Sequence, residues 1–187
     1  VSITRPWQSH RVGEPHIMAG RLYWVIVDVN VRRPNQSWRW PSWLILSRND
    51  LAHLTSLLRH NEQPVWPATP DLKRCFQQIG RLLHGNSAIG MEARLTVCLN
   101  EVLLALMEML SERRIPLDPA LSSARRTVKL FLEDLGSNSD NLAMPWTVQL
   151  MAEHCGMGVT AFTHHCRQVT NLTPIQYVTK QRMARAA

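Results

Sequence analysis

The chain has 187 residues, 45% of them hydrophobic, and a formal net charge of +7, enough length for one domain or two small ones with a real core. No apolar run approaches the roughly 20 residues that span a bilayer. The opening VSITRPWQSHR lacks the apolar stretch of a secretory signal, which points to a cytoplasmic protein with no membrane partner.

The first elements along the chain are strand-like. In LYWVIVDVNV, Leu22 to Val31, the residues Val27, Val29 and Val31 alternate with Asp28 and Asn30, so the valines share one face of an expected strand. RRPNQ turns the chain, and SWRWPSWLIL leads into a second strand-like run. Ser47 or Asn49 can then cap a helix over DLAHLTSLLRH, and NEQPVWPATP is a proline-broken loop. Thr69-Pro70 supplies a cap followed by proline at the first helical position. It predicts a helix over PDLKRCFQQIGRLLH that ends near Gly85.

The longest apolar-rich helix is expected over residues 92–114. Leu95, Leu99, Val102, Leu106 and Met109 form its main stripe, flanked by Leu103, Leu104 and Met107. The stripe fits a core, and it also fits a dimer seam. An apolar face of this extent predicts a homodimer through this helix. IPLDPA breaks the pattern and sets a boundary between regions 1–118 and 119–187. Asp118-Pro119 restarts a helix, with Val128, Leu132 and Leu135 inward, that stops at Gly136; GSNSDN then reads as a turn.

The C-terminal segment concentrates the chemistry. From His154 to Ala187 there is no Asp or Glu, while Arg167, Lys180, Arg182 and Arg185 are present. With a pI of about 9.9, this is the stretch best suited to a polyanion. Thr147 caps an expected helix from Val148 to Cys155, GMG turns the chain, and a second helix is expected from about Val159 to Thr170. At about 100° per residue, Val159, Phe162, Cys166 and Val169 cluster on one side. Thr160, Thr163, His164 and Arg167 cluster on the other. Thr173-Pro174 opens a further helix. Two short helices about a glycine turn, the second with a polar, cationic face, describe a helix-turn-helix unit. Its second helix reads base edges while neighbouring cations hold phosphates.

The stretch WTVQLMAEHCGMGVTAFTHHCRQVTNLTPIQYVTKQRMARA resembles the first helix-turn-helix of AraC/XylS-type bacterial transcription regulators. MAxxxGM, Phe162 and TPxxYxxxxRMxxA carry the resemblance, through Ala152, Gly156, Thr173, Pro174, Tyr177, Arg182 and Met183. It covers roughly residues 120–187. Gly158 stands where the family has Ser or Thr, Cys166 where it has Phe, and Asn171 where it has Gly. The resemblance implies base reading by Thr160, Thr163, His164 and Arg167. Thr163 and His164 are expected to carry specificity, and Lys180, Arg182 or Arg185 mostly affinity. It also implies a longer regulator with a second helix-turn-helix, a cupin-like sensor for a sugar or similar effector, and RNA polymerase as a partner of the full protein. Residues 1–47 resemble the tail of that sensor.

The expected fold is therefore mainly α: a short β remnant of a cupin-like region, a helical dimerisation and linker region, and a three-helical, homeodomain-like helix-turn-helix. Other chemistries fit less well. His164, His165 and Cys166 are consecutive on a helix and point about 100° apart, and His154, Cys155 and Cys166 lack zinc spacing. His10 and His16 could be remnants of a cupin metal site. No metal ligand or cofactor is expected. The four cysteines, Cys75, Cys98, Cys155 and Cys166, contain no CxxC pair and are expected to be reduced and mostly buried. No nucleophile motif, phosphate loop or carboxylate pair supports an enzyme. Trp38, Trp40 and Trp43 could stack on a sugar, but packing is the commoner use of Trp. The expected function is a ligand-responsive, sequence-specific DNA-binding regulator of double-stranded DNA. The alternative is a dimerisation and ligand-response module with little DNA affinity of its own.

Overall fold

The computed structural model describes residues 1–8, 20–85, 89–113 and 115–186; His10 and His16 lie outside them. The described residues are mainly helical and contain no strand, with Ser2 and Val65 forming an isolated antiparallel bridge. None of their helices is long and apolar enough to cross a membrane. The chain divides into two units, one of residues 1–31 and 38–118 and one of residues 32–37 and 119–187. Residues 32–37, expected in the first region, thus belong to the second.

In the first unit, α1 (Arg48–Arg59) opens on a capping box in which Ser47 and Asp50 satisfy each other's backbone N–H groups. Helix α2 (Pro70–His84) starts at Pro70 behind the Thr69 cap. Helix α3 (Met91–Ser111) follows Gly90, whose φ of +69° suits a residue without a Cβ. Cys98, Val102, Leu106, Met109 and Leu110 of α3 are buried with Leu72, Cys75 and Ile79 of α2, Leu57 of α1 and Trp66. Leu95 and Leu99 pack half-buried against the same cluster. The stripe expected as a dimer seam is therefore core, because α1 and α2 already cover it. Each fully buried leucine there contributes roughly 1.5–3 kcal/mol.

The strand expected at Leu22–Val31 is an extended segment without a ladder. Its odd-numbered residues do turn inward, with Val29 and Val31 buried and Tyr23, Val25 and Val27 half-buried. Alternation in sequence encodes a face, but it does not supply a neighbouring strand. Asn30, at φ +55°, bends the chain; its N–H donates to Asp28 Oδ1 at 2.7 Å. The Trp-rich run is not a strand either. Trp40 Nε1 donates to Thr55 Oγ1 at 2.8 Å, and the Trp38 and Trp40 rings meet edge-on at 5.7 Å.

In the second unit, Pro119 opens a 3-10 turn, Pro119–Ser122, rather than the expected helix. The α-helix begins only at α4 (Ala124–Ser137), where Ser123 Oγ accepts from Arg126 N–H. A short α5 (Ser139–Ala143) occupies the expected GSNSDN turn, because the Asn138 side chain accepts from Asp140 and Asn141 N–H groups and caps it. Then come α6 (Val148–His154), α7 (Val159–Thr170) and α8 (Pro174–Ala186).

Asn100 is buried on α3, and its amide holds the incoming chain. Asn100 Oδ1 accepts from Ile45 N–H at 2.9 Å, and Nδ2 donates to Thr96 O at 2.9 Å. Asn100→Leu should therefore destabilise the first unit by about 1–3 kcal/mol, since Ile45 N–H loses its acceptor. Urea unfolding checks this, and an unchanged midpoint would show that the bond contributes nothing.

Candidate nucleic-acid interface

The cationic segment is held by the ends of three consecutive helices. Thr147 Oγ1 accepts from Leu150 N–H at 3.1 Å and starts α6. Past its end, Met157 N–H donates to Ala152 O at 3.1 Å and Gly156 N–H to Glu153 O at 2.9 Å, the paired bonds of a Schellman ending. That ending requires the left-handed backbone of Gly156, at φ +63°. Gly158 then starts α7 in extended conformation without a side-chain cap. Asn171, at φ +58°, closes α7, and its N–H donates to Arg167 O at 2.9 Å. At α8, Thr173 Oγ1 accepts from Gln176 N–H while Gln176 Oε1 accepts from Thr173 N–H. This box, with Pro174 at the first position, fixes where α8 begins.

The inner side of α7 is dry. Phe162 and Cys166 are fully buried among Met151 and Ala152 of α6, Val128, Leu132 and Leu135 of α4, and Val178 of α8. Phe131 meets Trp146 edge-on at 5.3 Å and Phe162 at 6.0 Å. Burial pushes the Cys155 thiol up to about 12, against the opposing pull of Arg33, and it raises the Cys166 thiol as well. All four cysteines are buried and free.

The outer side of α7 carries Thr160, Ala161, His164, Arg167 and Gln168, all exposed, with no carboxylate among them. Thr160, His164 and Arg167 stand as expected from the sequence. Thr163 is half-buried at the flank rather than on the exposed stripe. Gln168 is the residue that sequence reasoning missed. The i, i+4 spacing of Thr160, His164 and Gln168 could have found it, but an uncharged amide draws no notice in a search for cations. His165 Nδ1 lies 3.1 Å from Gln168 Oε1, which leaves the Gln168 amide NH₂ as a donor.

The basic residues of α8 divide into two groups. Arg182 Nε donates to Leu142 O at 3.0 Å and its Nη2 to Met144 O at 2.6 Å. Arg185 Nη2 donates to Ser137 O at 2.7 Å. Both guanidinium groups clasp α8 to the end of α4 and to α5, so Arg182, expected at a phosphate, is engaged in the fold. Lys180 is exposed, on the side of α8 opposite buried Pro174 and Val178.

Residues 32–37 add a further element. Asn35 N–H donates to Thr127 Oγ1 at 3.2 Å, and Asn35 Nδ2 lies 3.5 Å from Cys155 O. The Arg33 guanidinium lies directly against Gly156. A cation thus sits over the turn that precedes α7.

No family model, curated protein or solved structure matches the chain.

Two outcomes follow from this geometry. Gly156→Ala should cost about 1–2 kcal/mol from the left-handed backbone, with a further loss as Arg33 is displaced. Thermal unfolding measures it, and an unaltered midpoint would mean the turn relaxes freely. The Cys155 thiol ionises near 9 when exposed but near 12 in the fold. The unfolded chain therefore releases its proton first, and stability should fall as pH rises from 9 towards 12. Cys155→Ala should flatten that slope; an identical slope in the variant would assign it to other groups.

Proposed function

We propose that α6 and α7 form a helix-turn-helix and that the outer face of α7 reads the major groove of double-stranded DNA. The observation that carries this reading is the exposed, carboxylate-free face of Thr160, Ala161, His164, Arg167 and Gln168, backed by the buried Phe162 and Cys166 on the other side. Helices α4, α6 and α8 together supply that support. His164 and Arg167 can donate to guanine N7 or O6, Gln168 suits adenine, and the methyls of Thr160 and Ala161 suit thymine. Lys180 supplies a phosphate contact. The residue-level resemblance to AraC/XylS-type regulators agrees, and it extends the proposal to transcription control. In that reading a small-molecule effector acts through the first unit, RNA polymerase is a partner of the full regulator, and a homodimer brings two such units to one site.

Fluorescence anisotropy of the whole chain with labelled duplexes tests the reading. Affinity should fall linearly with salt on logarithmic axes, with a slope of about −0.9 per phosphate contact. His164→Ala should cost on the order of 1–3 kcal/mol at one base pair and relax preference there, whereas Lys180→Ala should weaken all sequences alike. Salt-independent binding, or a His164→Ala variant with unaltered affinity and preference, would overturn the assignment of α7.

A further inference from the structure

Two arginines stand where helix electrostatics disfavours them. Arg125 and Arg126 are the second and third residues of α4, behind the Ser123 cap. The first turn of a helix carries partial positive charge on its unsatisfied N–H groups and favours carboxylates. That turn of α4 contains no acid. Lys129, one turn on, is neutralised by Glu133 at 3.7 Å. No carboxylate among the described residues pairs with Arg125 or Arg126. Arg125 is exposed, whereas Arg126 is half-buried and its Nε is shut away from water with no acceptor. A buried donor without an acceptor is disfavoured, and native folds tolerate few of them.

The segment of residues 32–37 adds a third cation. Asn35 N–H donates to Thr127 Oγ1 at 3.2 Å, so the segment meets α4 one residue beyond Arg126. It also reaches the turn after α6, where Arg33 lies against Gly156. Arg33 has no carboxylate partner among the described residues either; Glu153, the acid nearest that turn in the chain, accepts from Gln149 Nε2 at 2.7 Å. Gly156 stands two residues before Gly158, where α7 starts. Cations without acids to neutralise them therefore stand at the N-terminal ends of both α4 and α7.

We propose that Arg33, Arg125 and Arg126 form a phosphate-binding surface that holds the DNA backbone beside the base pairs read by α7. It rests on α7 being the reading helix and adds the contacts that seat that helix. Charge and position both favour a duplex as the occupant. Its backbone is a regular row of phosphates, and the planar guanidinium group matches phosphate geometry. A reading helix meets base edges with its N-terminal residues, so the strand that borders the groove passes the end of α7 where Arg33 stands. Phosphate also relieves the repulsion between Arg125, Arg126 and the positive end of α4. The surface sets position and affinity, not sequence, because phosphate contacts carry no base information.

Fluorescence anisotropy over a salt series, with variants of the whole chain, tests the proposal. Arg33→Gln/Arg125→Gln should weaken every duplex alike, roughly tenfold, and lower the salt slope by about 0.9 for each contact removed. Preference at the base pair governed by His164 should be kept. Arg33→Lys/Arg125→Lys should recover most of the slope, since lysine keeps the charge. Arg125→Glu separates binding from folding. It places an acid in the first turn of α4, so the thermal midpoint should rise by a few degrees while DNA affinity falls further than with glutamine. Wild-type affinity and slope in the glutamine variant would overturn the proposal, and α7 would stand as reader wherever His164→Ala still relaxes preference. A reduced slope in the glutamine variant beside an unaltered His164→Ala would instead keep the phosphate surface and overturn α7 as reader. A lower midpoint in Arg125→Glu would also overturn the proposal, because the lost affinity would then belong to the fold.

Discussion

Burial of Phe162 is the interaction on which the C-terminal unit depends. Its ring is fully enclosed by side chains from α4 and α6 and by Phe131, and replacing such a ring with alanine typically costs 3–5 kcal/mol. The same contact fixes the rotation of α7 about its own axis. Once Phe162 and Cys166 point inward, Thr160, His164, Arg167 and Gln168 must point outward, because residues three and four apart share a helix face. Hydrophobic packing on one side thereby sets the chemistry presented on the other.

The helix ends convert that rotation into a defined position. A left-handed residue closes both α6 and α7, Gly156 in one case and Asn171 in the other. Thr147 and Thr173 start the neighbouring helices with side-chain caps. Tyr177 Oη donates to Leu132 O at 2.8 Å, and Arg182 reaches the carbonyls of Leu142 and Met144. These polar bonds cross between elements far apart in sequence, so they restrict sliding that apolar contacts alone would permit. Arg33 against Gly156 and Asn35 against Thr127 extend the same support to the turn before α7.

Helices α6, α7 and α8 are legible in the sequence because local rules determine them. A threonine before an apolar period, a glycine after it and a Thr-Pro pair each act within one turn of chain. The 3.6-residue period of α7 places Phe162 and Cys166 inside correctly, whereas Val159, in its first turn, is exposed and Val169 half-buried. Failures came where partners distant in sequence decide. The valine alternation of residues 22–31 marked a face correctly, but a ladder needs a second strand, and none is described beside it. The α3 stripe had the spacing of a seam, yet α2 already covers it. Arg182 looked like a free cation because sequence does not show carbonyls forty residues away. Asn138 lies in a stretch that reads as a turn, yet the same side chain that favours turns also caps α5. Chain order groups residues 32–37 with the first region, and only the fold places Arg33 at Gly156.

The proposed DNA contact surface is one face of α7. The most direct measurement is a titration of the isotope-labelled whole chain with a bound duplex, followed by NMR. Resonances of Thr160, Ala161, His164, Arg167, Gln168 and Lys180 should move, while the methyls of Val128, Leu132 and Val178 should stay in place. Shifts concentrated in residues 1–118, or spread evenly through the core of the second unit, would contradict it.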